Sequence, residues 1–403
     1  MPSVPTTDLI TRLLAGVDDL SAELVELRRD LHAHPELSWH EERTTALVAK
    51  RLDEAGIAVT LMPRSGLYAD IGPRQAGPVV ALRADLDALG VADLSQDPWV
   101  STTDGVAHAC GHDVHTSALV GAGLALAALG DALPGRVRLV FQPAEEIMPG
   151  GALMCIEAGA LDGVDEIFML HCDPGVDVGQ IGLREGPLTG AADSLEVVLT
   201  GRGGHTSRPH LTEDLTFALG KLVTELPAVL SRRLDPRAGV SVVWGVVQAG
   251  SAMNAIPSVG RAAGTVRMLD AVAWAEAEAH VRETVEQIVA PYGVTGSTTY
   301  IRGVPPVVNA TGATATMGHG VLDVLGETGL VSTTQSLGGE DFAWYLEQVP
   351  GAMARLGTRT PGGPTYDLHQ GDLRIDERAI PIGAKVLGAT ALRSLGARSD
   401  SIG

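Results

Sequence analysis

The sequence predicts an α/β protein built around a mixed, mainly parallel sheet covered by helices, with a smaller α+β domain inserted into it. Residues 78–86 and 136–141 are almost uninterrupted apolar runs, typical of buried strands, and the Ala-rich stretch 116–129 between them is typical of a helix. This order of strand, helix and strand indicates a parallel sheet. From about Gly186 the apolar residues alternate with polar ones, as in strands with one covered face.

The other elements of the first part follow from periodicity. Apolar residues recur at helical spacing over residues 7–56, and a loop around Pro35 divides this stretch into two amphipathic helices. Short β-rich runs come next. Residues 166–171 (EIFMLH) predict a further buried strand, which we expect to end at His171.

The alternating part predicts a separate α+β unit of roughly 115 residues, a common size for a small domain. Its predicted strands are 194–200, 241–248 and 260–268, with helices at about 214–230 and 271–292. After Val304 the first pattern resumes, with candidate helices at 310–326, 341–348 and 377–395. We therefore predict a discontinuous main domain, residues 1–186 and 304–403, and an inserted domain, residues 187–303.

Composition narrows the class of partner. The formal net charge of −20 argues against a nucleic-acid partner, because phosphate binding requires a basic surface. The opening residues show no basic start followed by an apolar stretch, and apolar runs such as 117–133 are too short to span a bilayer. Three cysteines, an odd number, indicate reduced thiols. We expect a cytoplasmic protein that binds small molecules and neither nucleic acid nor membrane.

Two side chains that bind metals, Cys110 and His112, lie two residues apart at the predicted start of a helix. Backbone N–H groups and the helix dipole favour a thiolate at such a position. By itself the motif fits a buried cysteine beside helix-capping residues equally well. Cys155 and Cys172 are expected to be small core residues.

Further side chains of this type follow the predicted strands. Glu145 and Glu146 come after strand 136–141, and His171 closes strand 166–171. Ligands and catalytic groups in open α/β sheets gather at the carboxyl ends of strands. Since adjacent carboxylates point in different directions, one glutamate can bind a metal while its neighbour transfers protons.

Nine sequence blocks, in order, resemble those of a metallopeptidase family that includes aminoacylases, hippurate hydrolases and plant auxin-conjugate hydrolases. Between about residues 28 and 387 they are HPELSWHE, ALRADLDAL, HACGHDVHT, VFQPAEE, GRGGHTSRPH, NAIP, GTVR, GGEDF and LHQGD. The resemblance implies that the main domain is catalytic. It also implies that the inserted domain is a ferredoxin-like lid and dimerisation domain, in a homodimer or a dimer-based oligomer.

The resemblance also implies two divalent metal ions per subunit. Their ligands would be Cys110, His112, Glu146, His171 and His369. Cys110 would bridge the ions, with His112 and His171 on one ion and Glu146 and His369 on the other. Imidazole, carboxylate and thiolate together suit zinc or manganese, with cobalt or nickel as further candidates.

Catalytic roles follow from the same resemblance. Glu145 is the predicted general base, which takes a proton from the attacking water and passes it to the leaving nitrogen. Asp87 is the predicted assisting acid, and Asp85 competes for that role because the family's usual histidine is absent from this motif. His205 is predicted to stabilise the oxyanion, which relatives often do from the partner subunit.

Asn254 in NAIP and Arg267 in GTVR match family positions that hold the carboxylate of the substrate. A planar guanidinium binds a carboxylate through two parallel hydrogen bonds, which suits an acyl amino acid. The chain departs from the family at Gly90, where relatives usually have proline, and at the residue after Asn254, where a branched residue is commoner. These changes are expected to loosen a loop near the site and to alter the substrate pocket.

The predicted function is metal-dependent hydrolysis of the amide bond of N-acyl amino acids or similar small amides, which releases a carboxylic acid and an amino acid. One alternative is a dipeptidase or carboxypeptidase of the same family. Another is a cysteine hydrolase with Cys110 as nucleophile. A third is a metal-binding protein without activity, which Glu145 argues against because a structural metal site needs no base.

Overall fold

The structure is a computed structural model that describes residues 4–73 and 77–402, with side chains up to residue 398. Over its described residues the chain divides into two compact units. The first unit comprises Met1–Gly186, Val308–Thr334 and Trp344–Gly403, and the second unit comprises Pro187–Val307 and Gln335–Ala343. Among the described residues, no helix is long and apolar enough to cross a bilayer.

Both units contain helices and strands. The helices are α1 (Thr6–Ala33), α2 (Glu42–Asp53), α3 (His112–Ala127), α4 (Ala152–Glu157), α5 (Leu215–Arg233), α6 (Ala271–Val289), α7 (Thr311–Leu325), α8 (Ala343–Leu346) and α9 (Ala379–Ile402). The strands are β1 (Val59–Leu61), β2 (Leu67–Ile71), β3 (Val79–Asp85), β4 (Arg136–Gln142), β5 (Glu166–Asp177), β6 (Ile181–Leu183), β7 (Gly186–Pro187), β8 (Ala191–Thr200), β9 (Gly204–His205), β10 (Ser241–Ala249), β11 (Ala255–Ile256), β12 (Val259–Met268), β13 (Thr295–Val304), β14 (Val308–Asn309), β15 (Leu330–Ser332) and β16 (Gly351–Arg359).

A mixed sheet organises the first unit, with the strand order β1-β2-β4-β3-β5-β16-β6-β15. Its centre is parallel, since β3 pairs with β4 and β5, and β5 pairs with β16. Helices α1, α3 and α9 pack against one another, and α3 and α9 also contact β3. Every residue of β3 is buried, which explains why its sequence is mostly apolar. The predicted fold class, a mainly parallel sheet covered by helices, is confirmed.

The second unit contains an antiparallel sheet with the strand order β10-β12-β8-β13. Helices α5 and α6 pack against each other and contact this sheet. The chain order β8-α5-β10-β12-α6-β13 is the ferredoxin-like arrangement that was predicted. In β8 the buried residues Leu195, Val197 and Leu199 alternate with less buried ones, as one covered face requires.

The structure differs from the predicted elements in places where tertiary pairing decides. Strand β5 does not end at His171 but continues to Asp177, because β16 pairs alongside it from Arg355 opposite His171 to Arg359 opposite Asp177. Helix α8 is shorter than the predicted 341–348. The sequence-based assignment also missed β13 and β16.

Candidate metal centre

A tight turn precedes α3 and carries Cys110 and His112 on either side of Gly111. Gly111 has φ 84°, in the left-handed region, and a Cβ built on it would lie 2.8 Å from the Sγ of Cys172. Glycine is therefore required both by the backbone conformation and by the contact. Cys110 and His112 are 5% and 0% exposed, so the turn presents both ligand types to a buried site.

The ligand atoms of the five predicted metal ligands converge within the first unit. Those of Cys110, His112 and His171 all lie within 4.8 Å of one another, and so do those of Cys110, Glu146 and His369. Cys110 belongs to both groups, as a bridging ligand would. The Sγ of Cys110 is 3.6 Å from Nε2 of His171, and Nε2 of His369 is 3.4 Å from Oε1 of Glu146.

Hydrogen bonds fix the orientation of two of the histidines. Nδ1 of His112 lies 2.8 Å from the carbonyl oxygen of Asp87, and Nδ1 of His171 lies 2.8 Å from that of Cys172. Since a carbonyl can only accept, Nδ1 must donate in both rings, and a neutral ring then keeps its lone pair on Nε2. This is the arrangement by which proteins orient metal-binding histidines.

Buried polar atoms that make no hydrogen bond indicate that the cluster fits a cation. Nε2 of His112 and Oε1 of Glu146 are buried and make no hydrogen bond. Such atoms are costly in a folded protein unless an ion or water satisfies them. A mixture of imidazole, carboxylate and thiolate is also a suitable donor set for a transition-metal ion.

The electrostatics of the cluster support the same conclusion. Burial raises the pKa of the Cys110 thiol, and the carboxylates of Glu146 and Glu145 raise it further. Burial alone would lower the pKa of His112, but Asp85 and then Asp87 overcome this and raise it to about 10. The site thus concentrates negative charge around the ring of His112, which favours a cation there.

Glu145 lies beside the ligands without belonging to either group that shares Cys110. Its Oε2 is 3.9 Å from Nε2 of His112, and Oε1 of Glu146 is 3.8 Å from the same atom. Both glutamate side chains are 9% exposed.

Glu41 was not among the residues predicted from the sequence. It is a fully buried carboxylate that accepts the N–H of Ala144, 2.7 Å away, and so holds the loop before Glu145. Its place in the block HPELSWHE was the available signal.

The two candidate aspartates have different partners. Asp87 accepts the N–H of Glu146 at 3.0 Å on Oδ2, and its Oδ1 is 3.3 Å from Nδ1 of His112. Asp85 instead bonds His115 and Arg83, each at 2.7 Å. Asp87 therefore contacts two of the predicted ligands directly, and the geometry favours it as the assisting residue.

The sequence profile of the peptidase family M20/M25/M40 matches residues 81–393. The chain belongs to this family.

Individual relatives are similar to most of this chain. The chain is 50% identical over 368 residues to a putative glutamate–cysteine ligase 2-3 of Rhodococcus jostii (strain RHA1), covering 91% of this chain but 46% of that relative, so it spans about half of that protein. It is 37% identical to the N-acetylcysteine deacetylase of Bacillus subtilis (strain 168), covering 92% and 96% of the two chains. A solved M20 dinuclear metal-binding peptidase from Bacillus subtilis superposes with a TM-score of 0.82 at 34% identity, covering 94% of this chain and 99% of that one. The predicted family and an amide-cleaving, metal-binding hydrolase are confirmed.

The remaining predicted site residues of this M20-family chain lie in the second unit. His205 in β9 pairs with Ala255 in β11, and the carbonyl of Asn254 accepts the N–H of Thr206 at 3.2 Å, so His205 and Asn254 are neighbours. His205 is exposed. Arg267 is the second-last residue of β12 and donates to the carbonyl of Leu337 at 2.7 Å.

Proposed function

We propose that this M20-family chain hydrolyses N-acyl amino acids to a carboxylic acid and an amino acid. The observation that carries the proposal is the convergence of Cys110, His112, Glu146, His171 and His369 beside Glu145, a carboxylate outside both groups that share Cys110. The resemblance to an N-acetylcysteine deacetylase supports an N-acylated amino acid as the substrate class.

The proposed cofactor is a pair of divalent ions, zinc or manganese, held by the two groups that share Cys110. Such ions supply Lewis acidity, which activates water near neutral pH and polarises the amide carbonyl. Because Nδ1 of His112 and of His171 donates to a backbone carbonyl, Nε2 of each neutral ring is left for the proposed ions. Asp87 holds the backbone of Glu146 and lies against His112, so its role is to keep two ligands in register.

The proton steps belong to Glu145. Its carboxylate takes the proton of the attacking water and returns it to the amide nitrogen, which leaves as an amine. We assign His205 to the oxyanion that forms at the carbonyl, and Asn254 and Arg267 to the α-carboxylate of the substrate. These three assignments rest on the family resemblance and on the exposure of His205.

The proposed assembly is a homodimer formed through the second unit. Strand β10 lies at the edge of the antiparallel sheet, and its Val243 and Val247 are 58% and 51% exposed. An edge strand with exposed valines offers backbone groups and apolar surface to a second copy. The proposed location is the cytoplasm, where the free thiols of Cys110, Cys155 and Cys172 stay reduced.

The test is a hydrolysis screen with protein reconstituted with zinc or manganese. We expect turnover of N-acetyl or N-benzoyl amino acids to exceed that of dipeptides, and a chelator to abolish it until metal is restored. Faster cleavage of dipeptides would support the peptidase alternative. Activity that resists chelation but is lost to iodoacetamide would overturn the metal mechanism in favour of Cys110 as nucleophile.

A further inference from the structure

A chain of hydrogen bonds runs beneath the metal centre and ends at one ligand. Arg83 donates to Oδ2 of Asp85 at 2.7 Å, and Nδ1 of His115 lies 2.7 Å from Oδ1 of the same carboxylate. The backbone N–H of Cys172 donates to Nε2 of His115 at 2.7 Å. The carbonyl of Cys172 in turn accepts from Nδ1 of His171 at 2.8 Å.

The proton positions in this chain are determined by its ends. Because Nε2 of His115 accepts from a backbone N–H, it carries no hydrogen, so Nδ1 is the protonated nitrogen and donates to Asp85. His115 is therefore a neutral ring held at both nitrogens. It holds the N–H of Cys172, and the carbonyl of the same residue, which belongs to the next peptide group, sets the ring orientation of His171.

Asp85 is fully committed to this chain. Its side chain and that of Arg83 are both 0% exposed, and each carboxylate oxygen has a hydrogen-bond donor. Arg83 is held in turn by Oε1 of Gln142 at 2.9 Å. A buried carboxylate with a guanidinium on one oxygen and an imidazole on the other is charge-balanced, and neither oxygen is left to serve as a base.

Of the proposed ligands, this chain of hydrogen bonds reaches only His171 among the described residues. Glu146 is held by a different contact, from its N–H to Asp87, and the N–H of His369 donates to the carbonyl of Ala109 at 2.7 Å. Loss of His115 would therefore disturb His171 while leaving the contacts that position Glu146 and His369 in place.

We propose that Asp85 and His115 are positioning residues that orient His171 through the backbone of Cys172, and that they set the affinity of the ion bound by His112 and His171 separately from that of the ion bound by Glu146 and His369. This inference rests on the proposed metal centre. It assigns Asp85 a task different from that of Asp87, although the two lie two residues apart in the same motif.

The test measures metal binding in the absence of substrate. Stepwise zinc affinities of the full chain are measured by competition with a chromophoric chelator, together with the metal content after dialysis. In His115→Phe, which keeps a ring but loses both hydrogen bonds, we expect one ion to bind about 10–100-fold more weakly and the other to bind unchanged. His115→Gln, which keeps one donor and one acceptor, should recover part of the loss.

Ser117→Ala is the matched control. Ser117 is a buried polar residue of the same helix, but it donates to the carbonyl of Asp113 and takes no part in the hydrogen bonds that link Asp85 to His171. The variant should bind both ions as the wild type does. If His115→Phe lowered the affinity for both ions equally, or changed neither affinity, the proposal would be overturned. A loss in His115→Gln as large as in His115→Phe would also overturn it, a comparison that holds even if the phenylalanine variant folds poorly.

The ligand atoms of Asp85, His112 and His115 also cluster within 4.8 Å. A wild-type stoichiometry of three ions that falls to two in His115→Phe would therefore make His115 a ligand and refute the positioning role.

Failure of the proposed function is distinguishable from these outcomes. A chain that binds two ions with the expected variant pattern but cleaves no N-acyl amino acid would refute the substrate class alone.

Discussion

At the scale of single residues, neighbouring side chains of the same type have acquired different environments. Glu146 shares its group with Cys110 and His369, and its N–H is held by Asp87. Glu145, the residue before it, stays near Nε2 of His112 without joining that group. The proposed division of labour between ligand and base would therefore arise from the backbone of one loop and not from the chemistry of the side chain.

Replacement of Glu145 by Gln separates these two roles. We expect kcat to fall by about 10²–10⁴-fold, because an amide cannot accept the proton of water, while the metal content stays at the wild-type level. Steady-state kinetics and metal analysis of the same preparation check this. Glu157→Gln, at an exposed glutamate, is the control and should change neither quantity. Loss of metal from Glu145→Gln would show that this carboxylate is a ligand.

His32 predicts a pH dependence of stability. It is buried between Asp113, 2.8 Å from Nδ1, and Asp93, 3.3 Å from Nε2. Burial and the nearby Arg28 lower the pKa of His32, but the two carboxylates outweigh them and raise it above its ordinary value. Its stabilising contribution is therefore complete below about pH 6.5, the ordinary histidine pKa, and is lost as the pH rises through the raised pKa.

Urea unfolding at a series of pH values above about 6.5 tests this. The free energy of unfolding of the wild type should fall with pH more steeply than that of His32→Gln, which has no charge to lose. Equal slopes in the two proteins would mean that His32 is already neutral in the folded chain.

At the scale of elements, the start of α3 carries two of the proposed metal ligands, Cys110 and His112, on either side of Gly111. Gly111→Ala adds strain of about 1–2 kcal/mol for a left-handed residue, and its Cβ also meets Cys172 at 2.8 Å. Gly105→Ala is the control, because Gly105 has φ 72° with open space around its Cβ position. Chemical denaturation should show a larger loss of stability for Gly111→Ala, and metal content should fall in that variant alone. Equal losses would mean that Cys172 moves away freely.

At the scale of the whole molecule, the proposed dimer predicts complementation between two inactive variants. His205→Ala and Glu145→Gln, mixed after subunit exchange, should regain up to about a quarter of wild-type activity if His205 acts across subunits, since half of the dimers are mixed and each has one intact site. Activity is measured before and after exchange. No recovery, with exchange verified by mass, would place His205 in the same subunit as the site it serves.

Metal removal should also destabilise the folded chain. The proposed ligands come from segments as distant as Cys110 and His369, so bound ions would stabilise the native state of the first unit. At free metal about 100 times Kd, each site contributes roughly 2.7 kcal/mol. Thermal unfolding with and without chelator measures the effect, and restored metal should return the midpoint. An unchanged midpoint would mean that the ions bind weakly.

Periodicity in the sequence was sufficient to predict most helices and the buried strands β3 and β4, because their apolar patterns reflect local burial. It failed for β16, whose Gly and Ala residues carry little strand preference of their own. That strand forms because β5 pairs along its length. The same pairing extends β5 beyond His171, which the end of the apolar run had suggested as its limit.

By itself the sequence determined the family, the order of the two kinds of sheet and the types of side chain available to bind metal, since these depend on local patterns and on ordered motifs. The tertiary structure decided how those side chains are used. It gave Asp87 and Asp85 different partners, placed Glu41 against the loop before Glu145 and determined which ring nitrogens of His115 and His171 donate. Each of these depends on hydrogen-bond partners that are distant in the chain, and only folding brings them within bonding distance.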